Sequence, residues 1–91
     1  MVRVIAKYVV KSEFMANFVE DALKLVSHSR RERECVSYGL HQLVGKHDTW
    51  AFIETWQDMD SLEAHKHRDH YIDIVPRLEM CSKSVTVEIY V

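Results

Sequence analysis

Apolar residues in this chain recur with two alternating periods, and the points where the period changes divide it into strands and helices. From Val2 to Val10 the chain is rich in β-branched and aromatic residues, which predicts a strand with Val2, Val4 and Ala6 on one face and Ile5 and Val9 on the other. Ser12 offers an N-cap hydroxyl. Phe14, Phe18, Ala22 and Leu25, with Met15, Val19, Leu23 and Val26, then follow a helical spacing that predicts a helix over about residues 13–32. Arg30, Arg31 and Arg33 in its last turns suit the negative end of the helix dipole, and the run Arg30 to Glu34 reads as a solvated helix end. Residues 36–44 and 50–56 flank the polar loop Gly45-Lys46-His47-Asp48 and predict a β-hairpin. Asp58 or Asp60 can cap a short second helix, Asp60 and Glu63 being spaced as a capping box, with Met59, Leu62 and His65 on one side. Asp69 can cap a third helix that turns Tyr71, Ile74, Val75 and Leu78 inward and is kinked or ended by Pro76. A last strand alternates Val85, Val87, Ile89 and Val91 with Thr86, Glu88 and Tyr90.

The order β-α-β-β-α-β predicts a ferredoxin-like α+β fold: a four-stranded antiparallel sheet with helices on one face, all in a single domain over 1–91. The other face then has no cover. Ile5, Val9, Ala51 and Ile53 fall on it, so the sequence predicts a homodimer joined sheet to sheet.

Composition narrows the partners. Hydrophobic residues at 47% and charged residues at 29% describe a globular chain, and a net charge of −2 gives no electrostatic reason to expect nucleic acid or a membrane surface. No long apolar stretch or signal-like N-terminus is present, so a cytoplasmic location is expected. Cys35 and Cys81 lack the spacing of a disulfide framework or a zinc finger and read as reduced thiols.

The candidate chemistry sits between residues 52 and 71. Alternation along a strand puts Trp50, Phe52, Glu54 and Trp56 on one face; if helices cover it, the result is an apolar pocket holding one carboxylate. His65 and His70 lie on the covering helices and can converge on its rim, His65 as general base. Tyr38 and Tyr71 place phenol groups nearby. Each residue also has a plain structural role: Trp56 and Phe52 as core, Glu54 in an ion pair, His65 bonded to a carbonyl, His70 at a helix cap. The cluster His65-x-His67-x-x-His70 does not share a helix face, so no metal site is expected, and nothing in the sequence activates Cys35 as a nucleophile.

The run Ile53-Glu54-x-Trp56, then Leu62-x-Ala64-His65 and His70-Tyr71, with Cys35-x-x-Tyr38 before it, resembles the central signature of the antibiotic biosynthesis monooxygenase family across essentially the whole chain. The resemblance implies a dimeric α+β barrel with a pocket between sheet and helices. It also implies, as for many members, oxygenation of small aromatic, quinol-type or polyketide-like molecules with no cofactor; joined to the residue pattern, it leads to the expectation that His65 acts as base and that Trp56, Phe52, Glu54, His70, Tyr71 and Tyr38 bind the substrate. Glu34 stands where the family commonly has Gly before the strand-two cysteine, so that turn must be made differently. The haem-degrading branch uses an Asn, a Trp and a helical His, of which only Trp56 is matched, Tyr8 and Val75 taking the other places; haem cleavage is disfavoured. The segment His65-Lys66-x-x-x-His70-Tyr71 is also similar to a branch that isomerises a phosphorylated signal molecule. A non-catalytic ligand-binding dimer is the third alternative.

Overall fold

A computed structural model describes all 91 residues. Strand β1 (Val2–Val10) passes through a 3-10 turn (Ser12–Phe14) into α1 (Met15–Ser29), followed by β2 (Cys35–Gln42), β3 (Thr49–Trp56), α2 (Met59–Lys66), α3 (Asp69–Met80) and β4 (Ser82–Tyr90). The strands pair antiparallel in the order β2-β3-β1-β4, which is the ferredoxin-like arrangement. No helix is long and apolar enough to cross a membrane.

Register decides which side chains meet the helices. Val4 lies between Glu54 and Ile89, Ala6 between Phe52 and Val87, and Tyr8 between Trp50 and Val85, so all of these share the helix-facing side. The core closes over it with Phe18, Leu25 and Leu78 fully buried, each worth about 1.5–3 kcal/mol of apolar burial. The opposite face carries Arg3, Ile5, Lys7, Val9, Ala51, Ile53 and Thr55, and Ile53 there is 47% exposed. The helices stop short of β4. Val85, Val87 and Ile89 face the helix side yet remain exposed.

Several boundaries differ from the sequence expectation. The first helix ends at Ser29 instead of near residue 32, because the chain turns inward: Glu32 N–H donates to Ser29 O and Cys35 N–H to Glu32 O. No residue except Gly45 has positive φ, so Glu34 sits in this turn without backbone strain where a glycine was the family's habit. Ser12 is no cap; it lies inside the 3-10 turn. The α2 cap is Asp58, whose carboxylate accepts from Ser61 N–H at 2.8 Å and Ser61 Oγ at 2.6 Å, and the Asp60–Glu63 box is not formed. Asp69 is the first residue of α3, not its cap. Pro76 does not end that helix, which runs on to Met80; the donor it lacks would have served the carbonyl of Ile72, a residue exposed enough for water to take its place. Strand β4 starts at Ser82, ahead of the expected Val85.

Candidate functional site

Three elements converge behind the sheet. The inward turn after α1 brings Glu32 under the last turn of α2, where His65 points down, and under the first turn of α3, where His70 points back. One oxygen, Glu32 Oε2, lies 2.6 Å from His65 Nδ1 and 2.7 Å from His70 Nε2. Its other oxygen lies 3.4 Å from Arg68 Nε. A carboxylate accepts and does not donate, so it selects the tautomers in which His65 Nδ1 and His70 Nε2 carry the protons. His65 Nε2 is left as a bare acceptor. It is buried and has no hydrogen-bond partner, a costly arrangement that functional sites tolerate. Burial holds the His65 imidazole below its ordinary pKa, outweighing the opposing pull of Glu32.

His65 forms part of the wall of a cavity of about 240 Å³ between the sheet and α2–α3. Tyr8, Tyr38, Phe52 and Glu54 line it from the sheet, Leu62, Tyr71 and Val75 from the helices, and Val87 and Ile89 on β4 from its open side. The walls are apolar apart from the phenols, His65, Glu54 and, among cations, Lys66, whose ammonium lies 3.6 Å from Glu63. Burial pushes the Glu54 carboxyl up to about 7 against the lowering effect of the Trp56 hydrogen bond. The acid and the imidazole therefore meet the cavity with opposite capacities: one can carry a proton near neutrality and the other can take one. Burial also raises the phenols of Tyr8 and Tyr38, which stay protonated, and lifts the Cys35 thiol to about 11, far from a thiolate nucleophile.

Of the residues singled out in the sequence, His65, Phe52, Glu54, Tyr38 and Tyr71 line this cavity together. Trp56 does not. It is fully buried behind the wall, where its indole N–H donates to Glu54 Oε1 at 2.9 Å and its ring stands 4.4 Å from that of His65. His70 is also absent from the wall. It lies on the far side of Glu32, in an open polar crevice with His28, Arg31, Arg33 and Arg68. His67 turns outward with a side chain 76% exposed, and the group with metal-ligand geometry is instead Glu32, His65 and His70. Glu32 was missed in the sequence because it lies in the charged run that reads as solvated surface. It is only 9% exposed.

The sequence profile described as antibiotic biosynthesis monooxygenase matches residues 1–77. A Bacillus subtilis (strain 168) protein named "Putative monooxygenase YcnE" is 32% identical over 68 residues, which are 75% of this chain and 72% of that protein. A crystal structure of a conserved protein from Methanosarcina mazei Go1 superimposes with a TM-score of 0.95 at 32% identity, covering 98% of this chain and 89% of the other. A crystal structure of an antibiotic biosynthesis monooxygenase gives a TM-score of 0.95 at 27% identity, covering 100% and 97%.

Proposed function

We propose a specific reaction for this chain, which belongs to the antibiotic biosynthesis monooxygenase family: cofactor-independent oxygenation of a small aromatic or quinol-type molecule, started by proton transfer to His65 Nε2. The observation that carries the reading is that bare nitrogen, buried without a partner in a residue that lines an apolar cavity, while Glu32 holds the other side of the ring. Glu32 fixes the tautomer and stabilises the imidazolium that forms when the proton arrives. Glu54 sits in the same cavity as a partner for a second substrate oxygen. The aromatic walls stack a planar ring and keep bulk water from the intermediate.

The electrons balance without a cofactor. The substrate supplies all four electrons that dioxygen takes up: its anion passes two to form a peroxide, and collapse of that peroxide takes two more from the same molecule, so that one oxygen atom is retained in the oxidised product and the other leaves as water with the two hydrogens the substrate gave up. The runner-up reading, isomerisation of a phosphorylated carbonyl compound, has less support, because the cavity wall offers a buried carboxyl group and one cation, Lys66, already close to Glu63. The sheet face bearing Ile5, Val9, Ala51 and Ile53 supports a homodimer formed through it.

The test is oxygen uptake by chelator-treated protein over a panel of quinols, with mass analysis of the product under labelled dioxygen. Wild type should incorporate one labelled atom and His65→Ala should lose the reaction by at least about 100-fold. Equal rates for the two proteins, or turnover that continues without air, would remove the proposal.

A further inference from the structure

We propose that Glu32, His65 and His70 also form a binding site for a divalent transition-metal ion of the zinc type, and that filling it silences the base. Two imidazoles and a carboxylate are a donor set that such ions favour. Here they come from three separate elements, so the fold and not one helix brings them together, and their ligand atoms lie within 4.8 Å of one another. The carboxylate oxygen stands 2.6 Å and 2.7 Å from the two nitrogens. Atoms bound at the tetrahedral angle to one ion, with metal–ligand bonds of about 2.0–2.2 Å, sit about 3.3–3.6 Å apart. An ion therefore needs these contacts to open by about 0.6–1 Å, within reach of side-chain rotation.

The site also has a way in. The open polar crevice touches Glu32 and His70, the His70 side chain is 17% exposed, and water from the crevice can complete the coordination. One neighbour opposes the ion. Arg68 Nε lies 3.4 Å from Glu32 Oε1, and its positive charge lowers the affinity of the site for a cation.

Metal binding has a consequence on the other side of the ring. His65 Nδ1 must give its lone pair to the ion, so the single proton of the neutral imidazole moves to Nε2. The unpartnered nitrogen of a ring that lines the cavity is then an N–H donor where it was an acceptor. No group is oxidised or reduced. This second clause rests on the reading of His65 as base, whereas the metal site itself does not.

The experiment is calorimetric titration of chelator-stripped full-length protein with zinc, without any substrate, followed by oxygen uptake with and without the ion. Wild type should bind one zinc per chain; Glu32→Gln and His70→Ala should each weaken binding by at least about tenfold. Arg68→Gln should tighten it, a gain that neither misfolding nor surface binding produces. His67→Ala, on the exposed side of α2, should leave it unchanged. Absence of binding up to about 1 mM zinc, or binding that Glu32→Gln and His70→Ala leave intact while circular dichroism shows both folded, overturns the site. If zinc binds in this pattern but oxygen uptake is unaffected by it, the site stands and the silencing clause fails. If no quinol is turned over at all, the titration still decides the site.

Discussion

Glu32→Gln removes one negative charge and turns an acceptor-only group into one that also donates, at a position where two imidazole N–H groups converge on a single oxygen 2.6 and 2.7 Å away. The amide oxygen has two lone pairs and can still accept from both rings, but without the charge and with its NH2 turned toward Arg68 Nε, which lies 3.4 Å from the oxygen it replaces; the flipped amide meets the rings with donors, and an imidazole must then change tautomer or lose its partner. A hydrogen bond to a charged group is worth about 1.5–3 kcal/mol, and Glu32 is buried with His65 beside it, so little of this is recovered from water. For a domain of this length each kcal/mol moves the melting temperature by roughly 4–8 °C. Glu32→Gln should therefore melt about 6–24 °C below wild type. The chemical consequence is separable: if His65 swaps its tautomer to bond the amide, Nε2 acquires the proton and turnover falls even well below the melting temperature. Differential scanning calorimetry and imidazole ¹⁵N spectra of the same sample report both effects. A variant that melts within about 2 °C of wild type and keeps Nε2 unprotonated would refute the account of Glu32 as the residue that sets the base.

Glu54 makes a pH prediction with a definite sign. Its carboxyl is raised from 4.5 to about 7, so the folded state binds the extra proton in this window, and the stability it contributes is present below 4.5 and lost as pH rises through 7. At about 1.4 kcal/mol per tenfold, Glu54→Gln should gain on the order of 3 kcal/mol relative to wild type above pH 7 compared with below pH 4.5; denaturant titrations at several pH values that give a constant difference would sink this. Trp56→Phe deletes the 2.9 Å bond to Glu54, which favours the charged form, so the Glu54 carboxyl should titrate higher still, as read by carboxyl ¹³C shifts; an unchanged midpoint would mean the indole does not act on the acid. Ile53→Asp places a charge on the helix-free face, and sedimentation should show monomers where wild type sediments as a dimer; identical sedimentation would refute the proposed interface.

Most of the fold was legible from period alone, because Val2, Val4 and Ala6 on β1 and Phe52, Glu54 and Trp56 on β3 alternate as a strand between core and solvent must. The centre of the cavity was legible for the same reason. What the pattern could not show was depth: Trp56 and Phe52 share a face, yet Phe52 reaches the cavity while Trp56 stands behind the wall. Nor does local sequence distinguish Glu32 from Glu34 in a run of alternating charges. The signal that could have pointed inward was indirect, since two histidines near in sequence on separate short helices need a shared anion to hold both rings. Pro76 and Asp69 show the reverse case, in which a strong local preference yields because the surrounding helix loses only a solvated carbonyl or gains an acid in its first turn.

Strand β4 is hydrogen-bonded to one neighbour only, β1, and it forms the open side of the cavity through Val87 and Ile89. The rim over which a guest molecule would pass is thus one of the two edges of the sheet, β2 being the other, so widening it requires parting a single ladder of amides at the margin and leaves the buried aromatic cluster undisturbed. Occupancy should accordingly be felt as slowed amide deuteration along Val85–Tyr90 before it is felt anywhere in α1, and uniform slowing throughout the domain would show that admission draws on the whole structure instead.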